Sequence, residues 1–422
     1  MKVMLIAENA SLQAGGEAAL AIHWFRELQK LRYPVWLLCH SRFRAELLAQ
    51  FPNSEDSLVF VEDTWLHRSL YWVGSFLPYR VSVISTGMLI RFLVQGRQLQ
   101  QANHLVRQQG IDLVHVVSPV SPLEPSRIRN VGAPVIFGPM NGGMEYPNAF
   151  AGRNSLLEKM IWRFRGPFAY FANLCIAGKR ESVCLLAANQ RTHKILKKWV
   201  ADIRSKILIF PENGVDFKLC GGVPAKDCSH RTIHYCFVGR LVDWKGVDIL
   251  LKAFSIAASR CNLPITLSIA GDGPMRQEWE SMSRNLHILG QSPNEPGKVF
   301  FYGWLEPAKC AELMGKSDVF VLPSLLECGG AVVLEAMASG LPVIACDWGG
   351  PADYLDESCG VLLSTMNEQS LTEELYKAML LMAQNSELRV SMGRAAATKA
   401  RNMYGWEAKV LDMLKVYKEV LR

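Results

Sequence analysis

Glu327 and Glu335 stand eight positions apart in "LLECGGAVVLEAMASGLPVIACDWGG", with Gly329 and Gly330 between them. The apolar runs 319–322 and 342–346 predict buried parallel strands, and 331–339 predicts a helix. The glycine pair therefore falls where that helix begins, with bare backbone and N–H groups carrying the positive end of the helix dipole. Such a terminus suits an anion such as a diphosphate. Carboxylates repel phosphate but accept hydrogen bonds from hydroxyls, so the composite fits a ligand that is both phosphorylated and polyhydroxylated. Taken alone, the two glutamates are equally compatible with a solvated loop residue and a surface helix residue. Upstream, Arg240 and Lys245 in "FVGRLVDWKG" lie between a predicted strand and a helix beginning near Val247. Their spacing lets both reach one diphosphate, the arginine as a fork and the lysine as a point charge.

These motifs do not stand singly. Glu-x7-Glu followed by "AMASGLPVIA", with "FVGRLVDWKG", "IAGDGP" and "VFFYGW" ahead of it in order, resembles the donor-site signature of the retaining GT-B glycosyltransferases of family four, the glycosyl transferases of group one. The likeness is close over 235–363 and loose before it. It implies an α/β chain of two Rossmann-like, doubly wound parallel-sheet domains facing a cleft. The implied reaction moves a sugar from a nucleoside-diphosphate sugar, a UDP-sugar such as UDP-glucose first among them, to an acceptor hydroxyl with retention. Polysaccharide or cell-envelope glycan synthesis is the implied setting, with a glycan or lipid-linked acceptor.

By the same resemblance Arg240, Lys245 and Glu327 are the catalytic residues. The two cations hold the pyrophosphate and stabilise the leaving nucleoside diphosphate, and Glu327 bonds the donor sugar. Gly15, Gly16, Gly239, Gly303, Trp304, Leu305, Cys328, Gly329, Gly330, Ala331, Val332 and Glu335 make up the donor-binding set. Within it Glu335 takes the ribose hydroxyls, and backbone atoms of Trp304 and Leu305 read the base edge. His115, Asn141, Gly142 and Gly143 are the acceptor-side residues. The chain departs from the family where Val117 replaces the second histidine of a His-x-His pair, where Asn141-Gly142-Gly143 replaces another histidine, and where Gly329 replaces a phenylalanine. No Asp-x-Asp occurs, so neither a divalent metal nor any other cofactor is expected.

The elements that must position these residues alternate as strand and helix through both halves. "KVMLIAE", "VWLLCH", "IDLVHVVSP" and "APVIFGPM" read as strands in the first half, with a helix over 17–31 after the Gly15-Gly16 turn. In the second, 233–239, 265–270, 299–302, 319–322 and 342–346 read as strands. Such apolar, non-alternating runs call for parallel sheets covered on both faces, with ligands at the strands' carboxyl ends. "KILIFPENGVDF" and the Gly-, Pro- and charge-rich segment after it mark a boundary near Pro211. The expected division is 1–211, 212–403 and a returning helix over 404–422.

At 422 residues the chain exceeds what one core usually supports. Its eleven cysteines are scattered, without a Cys-x-x-Cys pair, which predicts reduced thiols in a cytoplasmic protein. No secretory leader is expected ahead of the first strand. Residues 1–200 hold 23 Lys and Arg against 13 Asp and Glu, whereas the remainder holds 23 against 26. The basic first half suggests an anionic partner, a membrane's cytosolic face or an acidic acceptor, with nucleic acid disfavoured by the lack of a recognised module. The apolar stretch 70–96 is broken by Pro78, Arg80 and Arg91, too short a run to span a bilayer. The aromatic, basic segment 154–177 fits either an interfacial helix or a core helix with one solvated face.

Rival readings are open at this stage. A nucleotide-sugar epimerase of the same fold would use the same nucleotide cleft. A nicotinamide dehydrogenase would need G-x-G-x-x-G after the first strand, which "AENASLQAGGEA" lacks. A carbohydrate-binding module would have no use for Arg240 and Lys245.

Overall fold

The computed structural model describes all 422 residues except 14, 77–81, 83–84, 154–155, 201–204 and 221–231, and, within one helix, leaves aside the side chains of 156–158, 161 and 162. Pro78 and Arg80, the start of 154–177 and most of the Gly-, Pro- and charge-rich segment after the predicted boundary therefore lie outside the described residues. The chain forms two compact units: Met1–Gly143 with Leu156–Glu212 and Lys409–Arg422, and Met144–Ser155 with Asn213–Ala408. Residues 144–155 thus pack with the second unit although they precede the division, and the return begins at 409, not 404.

The first unit is built on a seven-stranded, wholly parallel sheet of β1 (Val3–Ile6), β2 (Val35–His40), β3 (Leu58–Val61), β4 (Leu113–Val116), β5 (Val135–Met140), β6 (Cys184–Ala187) and β7 (Lys206–Ile209). Their order is β3-β2-β1-β4-β5-β6-β7. The second carries six parallel strands, β8 (Ile233–Val238), β9 (Ile265–Ala270), β10 (Val299–Gly303), β11 (Val319–Leu322), β12 (Val343–Cys346) and β13 (Gly360–Leu363), ordered β10-β9-β8-β11-β12-β13. Both are doubly wound, with the order reversing beside the first strand of each sheet. Strands β1, β4, β9, β11 and β12 are buried along their whole length, which explains why their sequences are apolar without alternation.

The helix over Gly16–Lys30 begins one residue before its predicted start, and Ala331–Ala338 begins where predicted. Segment 70–96 divides between the helices Trp65–Ser75 and Thr86–Gln109. Among the described residues no helix is long and apolar enough to cross a membrane. The helix Leu156–Cys175 buries Ala169 and Asn173 but leaves Met160, Phe164, Phe168 and Phe171 exposed, so it is not a core helix with a merely polar outer face.

Three expected acceptor-side positions are instead part of the first unit's scaffold. His115 lies mid-sheet on β4 with no exposure. Its Nε2–H donates to the Gly138 carbonyl at 2.5 Å, and its Nδ1 accepts from the Tyr417 hydroxyl at 2.6 Å, so both ring nitrogens are spent in the core. Asn141 is buried too, donating to Glu212 at 2.6 Å, and the Gly142 N–H donates to the Thr192 hydroxyl at 3.3 Å. Only the half-buried Gly143 retains some exposure. The helix Trp406–Val420 supplies Tyr417, and Lys409 at the start of the returning segment donates to the carbonyls of Pro211 and Glu212 at 2.6 and 2.9 Å.

Burial lowers His115 from 6.5 to about 4. Above pH 6.5 both folded and unfolded chains hold it neutral. Below that the unfolded chain takes up a proton that the folded one refuses, so stability falls between 6.5 and 4, by at most about 3 kcal/mol. Thermal unfolding followed from pH 7 to 4 is expected to decline less steeply in His115→Phe than in the unaltered protein. Parallel declines would mean that the ring does not carry this pH dependence.

Candidate functional site

Adjacency in the second sheet decides which loops meet. β8 and β11 are neighbours, so the loop after Val238 and the loop after Leu322 leave the same edge side by side. The Leu325 N–H donates to the Trp244 carbonyl at 2.8 Å, and the Ser324 hydroxyl to the same carbonyl at 3.3 Å. This stitching brings together Lys245 and Glu327, 82 positions apart, whose ammonium and carboxylate form a direct ion pair. Both side chains are largely covered, at 13% and 14% exposure, so solvent screens the pair little.

A second set of contacts comes from β8, β9 and β10. The Gly239 N–H donates to the Ala270 carbonyl at 3.0 Å and the Gly271 N–H to the Gly303 carbonyl at 2.7 Å. Gly271 has φ +136°, and a Cβ there would lie 1.9 Å from the Gly239 carbonyl oxygen. The three strand ends consequently approach to backbone-on-backbone distance. Asp272 accepts from the Gly273 N–H at 2.7 Å, and the helix Arg276–Asn285 follows.

Gly330 is the N-cap of the helix Ala331–Ala338, at φ +71° and with no side-chain cap. Glu327, Cys328 and Gly329 precede it, half-buried, and Ala331 and Val332 open the helix in the same state, so the first-turn N–H groups have no side chain capping them. The loop after β12 braces this turn. The Gly350 N–H donates to the Glu327 carbonyl at 2.8 Å. Gly349, at φ +73°, sits so close that a Cβ would meet the same oxygen at 2.2 Å. Met144 packs on Gly349 from the other side, and the Trp348 indole donates to the Glu145 carbonyl at 2.9 Å. Arg153 ties the far end of this segment to Asp248 at 2.6 Å and to the Asp243 carbonyl at 3.1 Å. Sequence reasoning found the glycine loop but missed the supporting strap of 144–153, whose attachment to the second unit has no local signature.

Arg240 lies on the same loop as Lys245, exposed, and its guanidinium makes no hydrogen bond or ion pair among the described residues. Glu335 stands one turn inside the helix with its carboxyl raised by burial. Gly303 is buried, Trp304 is 64% exposed and Leu305 half-buried. The second unit thus assembles Gly239, Lys245, Glu327 and the 328–332 turn on adjoining loops, with Arg240 and Glu335 on the same elements and Trp304 after the edge strand β10. Gly15 and Gly16 belong to the first unit, exposed at the start of the helix Gly16–Lys30. Among the described residues no cluster of His, Cys, Asp and Glu could hold a metal ion.

Paired parallel-sheet units of this topology define the GT-B architecture, and solved glycosyltransferases share it. A Rickettsia africae glycosyltransferase superposes with a TM-score of 0.65 at 14% identity, over 100% of this chain and 99% of its own. Anabaena Alr3699/HepE in complex with UDP gives 0.64 at 15%, over 99% and 100%. In sequence, residues 229–399 resemble the glycosyl transferases group 1. A D-inositol 3-phosphate glycosyltransferase of Segniliparus rotundus is 31% identical over 188 residues, 44% of this chain and 40% of the relative. The chain spans under half the length of the curated relatives that it matches.

The close glycine contacts make a stability test. Gly271→Ala places a methyl against the Gly239 carbonyl and a side chain at a left-handed φ, so a loss of roughly 3 kcal/mol is expected. A melting temperature unchanged by the substitution would contradict the packing described here.

Proposed function

We propose that the protein is a retaining glycosyltransferase that uses a nucleoside-diphosphate sugar, a UDP-sugar in the first instance, and an acceptor hydroxyl. The observation that carries this reading is the Lys245–Glu327 pair set before the uncapped helix turn of 329–332. A cation and a helix's leading amides serve a diphosphate, and an acid beside them serves sugar hydroxyls. No single simpler ligand uses all three. UDP is the nucleotide bound in the Anabaena structure, and this supports the choice of base.

Loss of the nucleoside diphosphate leaves negative charge on the β-phosphate oxygens. Lys245 is fixed in place by Glu327, and Arg240 is unengaged and free to fold onto the phosphates. Fixed positive charge in a poorly solvated site stabilises such charge more than water can. Glu327 has two tasks, orienting the ammonium and accepting from the donor sugar, while Glu335 is placed to accept from the ribose. No metal enters the scheme. An epimerase would use the same machinery without an acceptor, so donor conversion in the absence of acceptor is the outcome that would favour it.

The acceptor is proposed to be a glycan or lipid-linked sugar of the cell envelope, met at the cytosolic face of a membrane. Trp65 and Trp72 on one helix of the first unit are 77% and 67% exposed, and Phe164 and Phe171 on another 60% and 64%, the latter beside exposed Lys159 and Arg163. Aromatic side chains flanked by cations suit the interface of an anionic bilayer.

Two outcomes are expected. Arg240→Ala and Lys245→Ala each lower turnover of the nucleotide sugar that most raises the melting temperature by two to three decades, and near-normal turnover in either would remove that residue from the mechanism. The protein should also co-sediment at low salt with vesicles containing phosphatidylglycerol, and less so after Phe164→Ser with Phe171→Ser. Indifference to such vesicles would remove the membrane from the reading.

A further inference from the structure

One short segment touches the loops that carry both partners of the Lys245–Glu327 pair. Residues 144–153 pack with the second unit, although the chain up to Gly143 and again from Leu156 belongs to the first. At its leading end the segment holds the loop after β12: Met144 lies against Gly349, and the Glu145 carbonyl accepts from the Trp348 indole at 2.9 Å. That loop in turn donates from the Gly350 N–H to the Glu327 carbonyl at 2.8 Å. Tyr146 and Phe150 are buried, so the segment is seated along its length. At its trailing end the Arg153 guanidinium forks. Nη1 donates to the Asp243 carbonyl at 3.1 Å, and Nη2 to the carboxylate of Asp248, on the first turn of the helix Val247–Arg260, at 2.6 Å. Nη2 also lies 3.4 Å from Glu368.

What Arg153 holds is the turn Asp243–Lys245 itself. The Asp243 carbonyl that it meets also accepts from the Gly246 N–H at 3.3 Å, which closes the turn. The next carbonyl, of Trp244, accepts from the Leu325 N–H at 2.8 Å and the Ser324 hydroxyl at 3.3 Å. Two successive carbonyls before Lys245 are thus fixed from outside the turn, one by the strap and one by the loop after β11. A peptide unit is planar, so orienting its carbonyl also sets where the next Cα stands. The ion pair with Glu327 does not do this alone, because a lysine side chain is a flexible four-carbon stem and its ammonium follows the backbone that carries it. Arginine suits the task at 153: its planar fork serves a carbonyl and a carboxylate at once in one geometry, where lysine offers a point charge. The Arg153 and Asp248 side chains are 20% and 24% exposed, so the anchor is mostly shielded from water.

Resting on the glycosyltransferase reading, we infer that Arg153 is a positioning residue for Lys245, and that the strap 144–153 sets the spacing of the ammonium and Glu327 and with it this unit's grip on the diphosphate of a nucleotide. Arg153 acts through the backbone of the 243–245 turn and not by contact with the phosphates.

UDP titrated by calorimetry into the full chain reads that grip. Arg153→Ala, checked for folding by its melting curve, should weaken UDP about tenfold. Arg153→Lys keeps a cation beside Asp248 but not the fork; it should weaken UDP about threefold or more, and it carries the test if the alanine variant does not fold. Lys252→Ala is the matched control. It removes a cation from the helix that bears Asp248 and from Glu368, which Lys252 meets at 2.6 Å, while leaving the Asp243 carbonyl untouched, and UDP should bind within about twofold of normal. A cycle with Lys245→Ala separates positioning from stability: once the ammonium is gone, the Arg153 substitution should cost UDP affinity no more than about twofold further. The inference is overturned if an Arg153 variant that folds binds UDP as the unaltered protein does, if Lys252→Ala weakens UDP equally, or if the full loss persists in the Lys245→Ala background. Binding of UDP that is indifferent to Arg153 discards the positioning role alone, whereas no binding of UDP to the unaltered protein discards the donor reading beneath it.

Discussion

The ion pair between Lys245 and Glu327 is the interaction on which the second unit's candidate site rests. Each partner is largely withdrawn from water, where a single charge would be expensive and a pair is tolerated only with good geometry. Holding the two together also joins the loops that leave β8 and β11. The ammonium is consequently held in one place by the fold itself.

That pair depends in turn on glycine. Gly271 lets the end of β9 touch the backbone at the end of β8, and Gly349 lets the loop after β12 reach the carbonyl of Glu327 itself. Side chains in either place would push the loops apart by more than a hydrogen bond tolerates. Met144 and Arg153 add a brace from a segment that lies far earlier in the chain, so the turn at 327–330 is supported from two directions. Close backbone packing supports this turn, while Arg240 on the loop after β8 is exposed and unengaged among the described residues.

Much of this was legible from residue order alone, for identifiable reasons. Strands β1, β2, β4, β5, β8, β9, β11 and β12 announce themselves because they are largely buried and their runs are mostly apolar. β3, β7 and β13 lie at sheet edges, short and half-buried, and β6 is made of Cys, Leu, Leu and Ala, which lack the β-branched signature. The glycine-rich loops after β8 and β11 were legible as loops because their residues lie close in sequence to the strands that carry them. The role of His115 was not legible, since its partner Tyr417 is 302 positions away and nothing near it predicts a hydroxyl.

The segment Lys409–Arg422 completes the first unit, supplying Tyr417 to the middle of its sheet and Lys409 to the carbonyls of Pro211 and Glu212. During synthesis the ribosome finishes every strand of both sheets before it makes this piece. The second unit, whose contributions end at Ala408, is therefore complete in vectorial order before the first, although most of the first was made earlier. A nascent chain carries His115 without its phenol for the 302 positions that separate it from Tyr417, so the opening half is the part whose core is closed last.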